Sequence, residues 1–247
     1  MIPLKGVQKI IAARLHESQQ NAAWVPCFGE IDASAAEDWR QGINRGRERR
    51  LSWTHLVLFV LSRALPKHPL LNAAIVDEEI RLYSDVNLGL AVNRPDGALF
   101  VPVIHGAQAM TLDEIVAKAD ELGAKTRDNK LAPAELVNGT FTLSSYGTLT
   151  AIRWAASIIN PPQTGILGVG RVEQKPVVRD GQIMARWLLP FSLTYDHRAV
   201  NGMPAMELME TMAALLREPE QTFGGDGLHG NVGSGIMKGK DSASSAS

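Results

Sequence analysis

The chain has 247 residues, and its 25 Lys and Arg against 26 Asp and Glu give a formal charge of -1. That balance argues against a protein whose main task is to neutralise a nucleic-acid backbone. The single cysteine, Cys27, excludes an internal disulfide framework and any cysteine-rich metal site. The most apolar run, within residues 53–65, is too short to cross a bilayer, and the N-terminus shows no signal-peptide pattern. We therefore expect a cytoplasmic protein with neither a membrane nor a nucleic-acid partner.

Three helices are predicted before the first β-rich segment. Ile10, Ile11 and Leu15 share one side of a helix over residues 7–19. Ser34 and Glu37 have the spacing of a capping box that opens a short second helix. A third helix over 53–65, capped by Ser52, is apolar on nearly all sides and should lie in the centre of the domain. The arginine-rich run 45–50 before it predicts a solvated loop or, alternatively, a contact for ligand phosphates.

The rest of the chain mixes strands with two further helices. A capping box at Thr111 and Glu114 predicts a helix that extends to about Arg127, and a last helix is expected over 202–216. Strands are predicted over residues 80–83, 88–92, 99–104, 140–144, 165–172, 176–179 and 183–195. The two kinds of element alternate without regular βαβ units, so the predicted fold is α+β, a two-layer sandwich of mixed β-sheet and helices.

The C-terminal tail differs in composition from the rest of the chain. Residues 224–247 are rich in Gly and Ser and contain few large apolar side chains. Such a segment buries too little surface to offset its ordering entropy, so the sequence predicts disorder there. The sequence therefore predicts one folded domain, over residues 1–223.

One segment carries a residue suited to proton transfer. His197 follows a predicted strand between Asp196 and Arg198, and the pKa of histidine suits acid–base work near neutrality. From spacing alone, a structural histidine with ordinary hydrogen bonds is an equally good interpretation. The six histidines of the chain are dispersed without metal-ligand spacing, so no metal is expected. Cys27, His55 and His68 are expected to be structural.

The sequence Asp196-His197-Arg198-x-x-Asn201-Gly202 resembles the Asp-His-Arg-x-x-Asp/Asn-Gly signature of the dihydrolipoamide acyltransferases. These are the core subunits of 2-oxoacid dehydrogenase complexes, similar in fold to chloramphenicol acetyltransferase. Four more segments resemble family segments in the expected order: Lys9–Leu15, Pro95–Gly97, Gly139–Ser145 and Ile158–Gln163. The resemblance implies that residues 1–223 form an acyltransferase catalytic domain with the chloramphenicol acetyltransferase-like fold.

The same resemblance implies a reaction and three site residues. The family transfers an acyl group between a dihydrolipoyl thiol and coenzyme A. Coenzyme A is therefore expected as a substrate, and the reaction uses no metal. His197 matches the family's general base and Ser144 its oxyanion donor, with Ser145 as the alternative if the register shifts by one. A serine that bonds only to local backbone remains the other interpretation of Ser144. Asn201 is expected to orient the site and cap the last helix, and any contact that it makes with Arg14 would be neutral rather than ionic.

The implied assembly is a homotrimer whose active sites lie between subunits, with His197 from one subunit and Ser144 from its neighbour. Its expected partners are a lipoyl-bearing protein or domain and the decarboxylase and dihydrolipoamide dehydrogenase subunits of a complex. Because the sequence starts at the catalytic domain, the lipoyl group is expected on another domain or chain. Two alternatives stay open: a stand-alone coenzyme A-dependent O- or N-acetyltransferase and a non-catalytic scaffold subunit. Neither the acyl group nor the coenzyme A contacts can be identified from the sequence.

Overall fold

A computed structural model describes residues 3–224, apart from the side chain of Val7. Its helices are α1 (Gly6–Asn21), α2 (Ser34–Asn44), α3 (Trp53–Ala64), α4 (Leu112–Arg127), α5 (Gly202–Arg217) and α6 (Pro219–Phe223). Its strands are β1 (Trp24–Asp32), β2 (Ala73–Val76), β3 (Glu79–Leu82), β4 (Leu88–Asn93), β5 (Leu99–Phe100), β6 (Val103–Ile104), β7 (Phe141–Ser145), β8 (Gly165–Val169), β9 (Glu173–Arg179) and β10 (Gln182–Asp196). The tail predicted to be disordered lies, beyond Gly224, outside the described residues.

Eight of the strands form one mixed sheet. Its main path is β1-β10-β8-β7-β4-β5, with β6 paired to β4 and β9 paired to β10, while β2 and β3 form a separate hairpin. Strands β4, β7 and β8 run parallel to one another, whereas β10 is antiparallel to both β8 and β1. The predicted α+β sandwich with a mixed sheet is therefore confirmed.

The two faces of this sheet differ in character because side chains alternate along each strand. One face contributes large apolar side chains to the core shared with α2–α5, and these are fully buried: Leu88, Phe141, Leu143, Leu167 and Leu193. The other face carries small or polar residues at the neighbouring positions: Gly89, Ala91, Thr142, Ser144 and Gly168. Helix α1 lies on this second side. The polar face of the sheet is therefore the one available for a binding site.

Local signals located the helices well but did not always identify their caps. Ser52 accepts a hydrogen bond from the His55 backbone N–H at 3.2 Å, as a capping residue should, and α3 behind it is buried on nearly all sides. The predicted capping box at Ser34 and Glu37 is wrong, although α2 begins at Ser34. The Ser34 hydroxyl instead accepts a hydrogen bond from the backbone N–H of Trp187 at 3.0 Å. The hydroxyl that the local pattern assigned to the helix cap is thus used in a long-range contact with a strand.

The side chain of Glu37 is buried in the domain interior and does not cap the start of α2. It is 3% exposed and accepts hydrogen bonds from Arg40, Gln41 and the indole of Trp53, at 2.7–2.8 Å. Burial alone raises the pKa of Glu37, but the hydrogen bonds from Arg40, Gln41 and Trp53, together with the charge of Arg40, lower that pKa below its usual value overall. The carboxylate thus joins α2 to the start of α3.

The residues expected to be structural make structural contacts. His55 Nε2 lies 3.2 Å from Asp120, and His68 Nε2 lies 2.8 Å from the Thr211 hydroxyl. Burial lowers the pKa of both imidazoles. Cys27 packs against the core, and burial raises the pKa of its thiol, which disfavours the reactive thiolate. None of the helices within residues 3–224 is both long and apolar enough to span a membrane.

Candidate active site

Ser144 lies on β7 in the middle of the sheet. In register, it is flanked by Ala91 on β4 and by Gly168 on β8. It is half-buried, and its hydroxyl makes no hydrogen bond with any residue in the range 3–224. The alternative in which this serine bonds to local backbone is therefore wrong. A hydroxyl that has no partner in the described part of the chain is available to a bound molecule.

Ser145 points to the other side of the sheet. Its Oγ accepts a hydrogen bond from the Thr54 hydroxyl on α3 at 3.0 Å, which places it between the sheet and the helical layer. Because successive residues of a strand face opposite ways, Ser144 and Ser145 cannot serve the same site. The structure thus favours Ser144 over Ser145 as the residue that faces a ligand.

Ser144 opens into a groove of about 520 Å³ between the polar face of the sheet and α1. The apolar side of α1, including Ile10 and Leu15, lines this groove and remains exposed at 60% and 37%, respectively. Among the described lining residues, Arg14 is the one with a charged side chain. The full lining is Ile10, Ile11, Arg14, Leu15, Ala91, Leu99, Phe100, Val101, Leu136, Thr142, Ser144, Ala156, Ser157, Ile158, Asn160 and Ile166. Largely apolar walls with a few polar groups are typical of a small-molecule site.

His197 is held at the end of β10 by its neighbours. The Asp196 carboxylate is buried, accepts the Ala23 N–H at 3.3 Å and pairs with the Arg198 guanidinium at 2.6 Å. This pairing raises the pKa of Arg198. The His197 N–H donates to Ala23 O at 2.8 Å, while its imidazole is exposed and makes no hydrogen bond within residues 3–224. A fixed backbone therefore presents a free imidazole, with the Tyr195 ring 5.7 Å away.

One chain does not bring His197 and Ser144 together. In the sheet register, Ser144 is level with Gly168, and Gly168 is level with Ser192 on β10. His197 lies five residues further along β10, which is about 16 Å at ~3.3 Å per residue, and two strand spacings away, about 10 Å. The separation is therefore on the order of 15–20 Å, whereas direct proton transfer requires contact at about 3 Å.

Asn201 occupies the position before α5, as predicted, but its side chain makes no capping hydrogen bond. It is exposed and has no hydrogen bond with Arg14, which lines the groove instead. The capping part of the prediction is therefore wrong. No contact within residues 3–224 tests an orienting role for Asn201, so that role stays a prediction.

Sequence reasoning missed several residues of the groove. The 7–19 pattern marked an apolar side of α1, but an apolar helix side looks the same whether it faces a core or a groove. Tyr146, which is not part of the groove lining, was also missed, although it lies directly after the two serines and its hydroxyl is 3.2 Å from Ser192 Oγ. The small residues Gly89 and Ala91, alternating with leucines on β4, are the signal that could have indicated a ligand-facing strand.

Two other candidate features are not among the residues that line the groove. In the arginine-rich run, Arg47 pairs with Asp113, and Arg49 lies 3.6 Å from Asp120, so two of its side chains are tied to α4. Within residues 3–224, no three His, Cys, Asp or Glu side chains come together as a potential metal site.

The family of 2-oxoacid dehydrogenase acyltransferases (catalytic domain) matches residues 1–224. The chain belongs to this family. The resemblance found from five short segments is thus confirmed across the whole described domain.

The acyltransferase domain is similar in sequence to components of bacterial multienzyme systems. It is 35% identical over 222 residues to the dihydrolipoyllysine-residue acetyltransferase component of the acetoin cleaving system of Bacillus subtilis, covering 88% of this chain and 55% of that protein. It is also 35% identical to the dihydrolipoyllysine-residue succinyltransferase component of the 2-oxoglutarate dehydrogenase complex of Cupriavidus necator, covering 88% and 53%. The chain spans about half the length of these curated relatives.

Solved structures confirm the fold of the acyltransferase domain. A dihydrolipoamide acetyltransferase from Azotobacter vinelandii matches with a TM-score of 0.82 and 30% identity, over 90% of this chain and 93% of that one. A truncated catalytic core of the 2-oxoacid dehydrogenase multienzyme complex from Thermoplasma acidophilum matches with a TM-score of 0.80 and 26% identity, over 89% and 98%. Chloramphenicol acetyltransferase matches with a TM-score of 0.55 and 15% identity, over 87% and 100%, which supports the fold alone.

Proposed function

We propose that this domain transfers an acyl group between coenzyme A and the thiol of a dihydrolipoyl group carried on another domain or chain. The observation that carries the proposal is Ser144, whose hydroxyl has no partner within residues 3–224 and faces the groove between the sheet and α1. Membership of the acyltransferase family supports the reaction class. The groove, with largely apolar walls and a few polar groups, supports the binding of a long, mostly uncharged arm beside the Ser144 hydroxyl.

The chemistry needs only a base and an oxyanion donor because a thioester is already activated. His197 takes the proton from the acceptor thiol, and the resulting sulfur attacks the thioester carbonyl carbon. The carbonyl oxygen becomes an oxyanion, which Ser144 stabilises by donating its hydroxyl proton in a hydrogen bond. When the tetrahedral intermediate collapses, the C–S bond to the leaving thiol breaks and His197 returns the proton to that sulfur. No electrons or groups are left over.

The distance between the two residues supports a site that is shared with a second copy of the chain. His197 is exposed at one edge of the domain, about 15–20 Å from Ser144 by strand register. We therefore assign the base to one subunit and the oxyanion donor to its neighbour in a homotrimer, a head-to-tail arrangement that closes into a ring. In such a ring every subunit supplies both patches and all sites are equivalent.

Asn201 is proposed as the orienting residue of the site. In the Azotobacter vinelandii enzyme the residues whose role in the catalytic mechanism was investigated are a serine, a histidine and an asparagine. There the histidine and asparagine are four positions apart, which is also the separation of His197 and Asn201. Since Asn201 does not cap α5 through its side chain, its amide is free to bond to the partner subunit or substrate.

The proposed partners follow from the same reaction. A lipoyl-bearing domain delivers the dihydrolipoyl thiol, and a decarboxylase and a dihydrolipoamide dehydrogenase act before and after the transfer in a 2-oxoacid dehydrogenase complex. The known relatives include acetyl and succinyl transferases, so the acyl group is the first property to measure.

The test is acyl transfer from acetyl-, succinyl- or isobutanoyl-CoA to free dihydrolipoamide, with chromatography to quantify free coenzyme A and S-acyl dihydrolipoamide. We expect one of these donors to be consumed with equal amounts of the two products. Acylation of hydroxyl or amine acceptors, but not of dihydrolipoamide, would show a stand-alone acetyltransferase. No transfer from any donor would show a scaffold.

A further inference from the structure

The two sides of Ser144 in the sheet are not equivalent. Gly168 flanks it on β8, where an added Cβ would lie 2.4 Å from Ser192 Oγ and 3.1 Å from the Tyr146 ring. The space above Gly168 is therefore already filled by these two side chains. Glycine is required there because any larger residue would clash.

A hydrogen-bond network fixes the two side chains above Gly168. The Ser192 hydroxyl donates to Ala155 O at 2.6 Å, so the Tyr146 hydroxyl, 3.2 Å away, must donate to Ser192 Oγ. The Tyr146 oxygen in turn accepts the Ala155 N–H at 3.1 Å. With every group paired and Ser192 only 1% exposed, the space beside Ser144 at Gly168 is filled, and among the described residues of β8 it is Ile166, further from Tyr146, that lines the groove.

The β4 side is open and apolar. Ala91 flanks Ser144 there, and both line the groove. The next groove-facing position, Gly89, is covered by Val101, since an added Cβ would lie 2.8 Å from Val101 Cγ1. Leu99 and Val101 also line the groove. Ala91 is thus the small floor of an apolar recess beside the oxyanion donor.

Resting on the proposed function, we propose that the acyl chain of the thioester lies on Ala91, and that the side chain at this position sets the longest acyl chain accepted. When the thioester oxygen bonds to Ser144, the acyl chain and the sulfur leave the carbonyl carbon in different directions. The Tyr146 side is filled, so the acyl chain takes the apolar recess and the sulfur continues along the groove. Ala91 is therefore a specificity-determining residue.

The experiment compares Ala91→Gly, Ala91→Val and Ala91→Leu with the native chain, using acetyl-CoA and butanoyl-CoA as donors and dihydrolipoamide as acceptor. The readout is the ratio of kcat/KM for butanoyl to that for acetyl transfer. A pocket that gains or loses room for one methylene discriminates by roughly 10–200-fold, so Ala91→Val should lower the ratio about 10-fold or more. Ala91→Leu should lower it further, and Ala91→Gly should raise it.

Ala185→Val is the matched control, because Ala185 lies exposed on the β9–β10 arm outside the groove. It should leave the ratio unchanged. An equal fall for both donors in the Ala91 variants, or a change confined to the KM of dihydrolipoamide, would overturn the proposal. If the larger variants do not fold, Ala91→Gly decides, since an unchanged ratio refutes the assignment. If the native chain acylates dihydrolipoamide from neither donor nor from any other acyl-CoA, the proposed function fails first, and this inference with it.

Discussion

Replacing Ser144 with alanine removes one hydroxyl from the groove and breaks no hydrogen bond within residues 3–224. The free energy of unfolding should therefore change little. The catalytic effect should be large, because the loss of one oxyanion donor lowers kcat by about 10²–10³, or ~2.7–4 kcal/mol of transition-state stabilisation. The KM values should stay close to native, since the donor strengthens its contact only as charge develops on the oxygen.

Ser145→Ala is the matched control at the neighbouring position. It removes the hydrogen bond with Thr54 on the helical side, which should cost about 1 kcal/mol in stability. Its kcat with dihydrolipoamide should stay within a few-fold of native. Steady-state kinetics and thermal melts of the two variants test both effects together. A catalytically damaged Ser145→Ala beside an active Ser144→Ala would refute the assignment of the groove face.

Three further variants test other parts of the structure. His197→Ala should lower kcat by ~10²–10⁴ without changing the melting temperature, because the imidazole is exposed and makes no hydrogen bond within the described range; a fall in melting temperature would indicate a structural histidine instead. Asn201→Ala should reduce activity and change stability by less than the ~1 kcal/mol of a lost helix cap, since its side chain does not cap α5; a full capping loss with native activity would contradict this. The contacts of Glu37 hold its pKa below the usual value, so they stabilise the fold above about pH 4.3 and are lost as the pH falls through the lowered pKa. Acid denaturation followed by circular dichroism should therefore flatten in Glu37→Gln, and an unchanged acid profile would contradict the role of this carboxylate.

Local chemistry explains what the sequence could predict of the fold. Ser52 and Thr111 cap α3 and α4 through partners three residues away, and such signals depend on nothing distant. Ser34 failed as a cap because its hydroxyl bonds to Trp187, a partner that exists only after β1 and β10 have paired. Helices α1–α5 could thus be located from the sequence, whereas α6 and the use of individual polar groups could not.

For the candidate site, too, local features could be predicted from the sequence and long-range features could not. The motif around His197 and the strand that carries Ser144 were found from residue types, and the alternation along β7 separates Ser144 from Ser145 once the faces of the sheet are known. The separation of His197 from Ser144 depends on the register of β8 with β10, which no local pattern specifies. Likewise, an apolar side of α1 does not indicate whether it covers a core or lines a groove.

The shared site is the central claim, and mixed assemblies of His197→Ala and Ser144→Ala chains test it most directly. Each variant should be nearly inactive alone, but in a head-to-tail ring a site is intact when its histidine comes from a Ser144→Ala chain and its serine from a His197→Ala neighbour. Random mixing of equal amounts supplies each with probability of about one half, so roughly one quarter of the sites should regain activity. Native mass spectrometry establishes that the trimers are mixed. Activity at about one quarter of native is the expected result, and activity no higher than the two variants alone, in trimers shown to be mixed, would contradict the shared site.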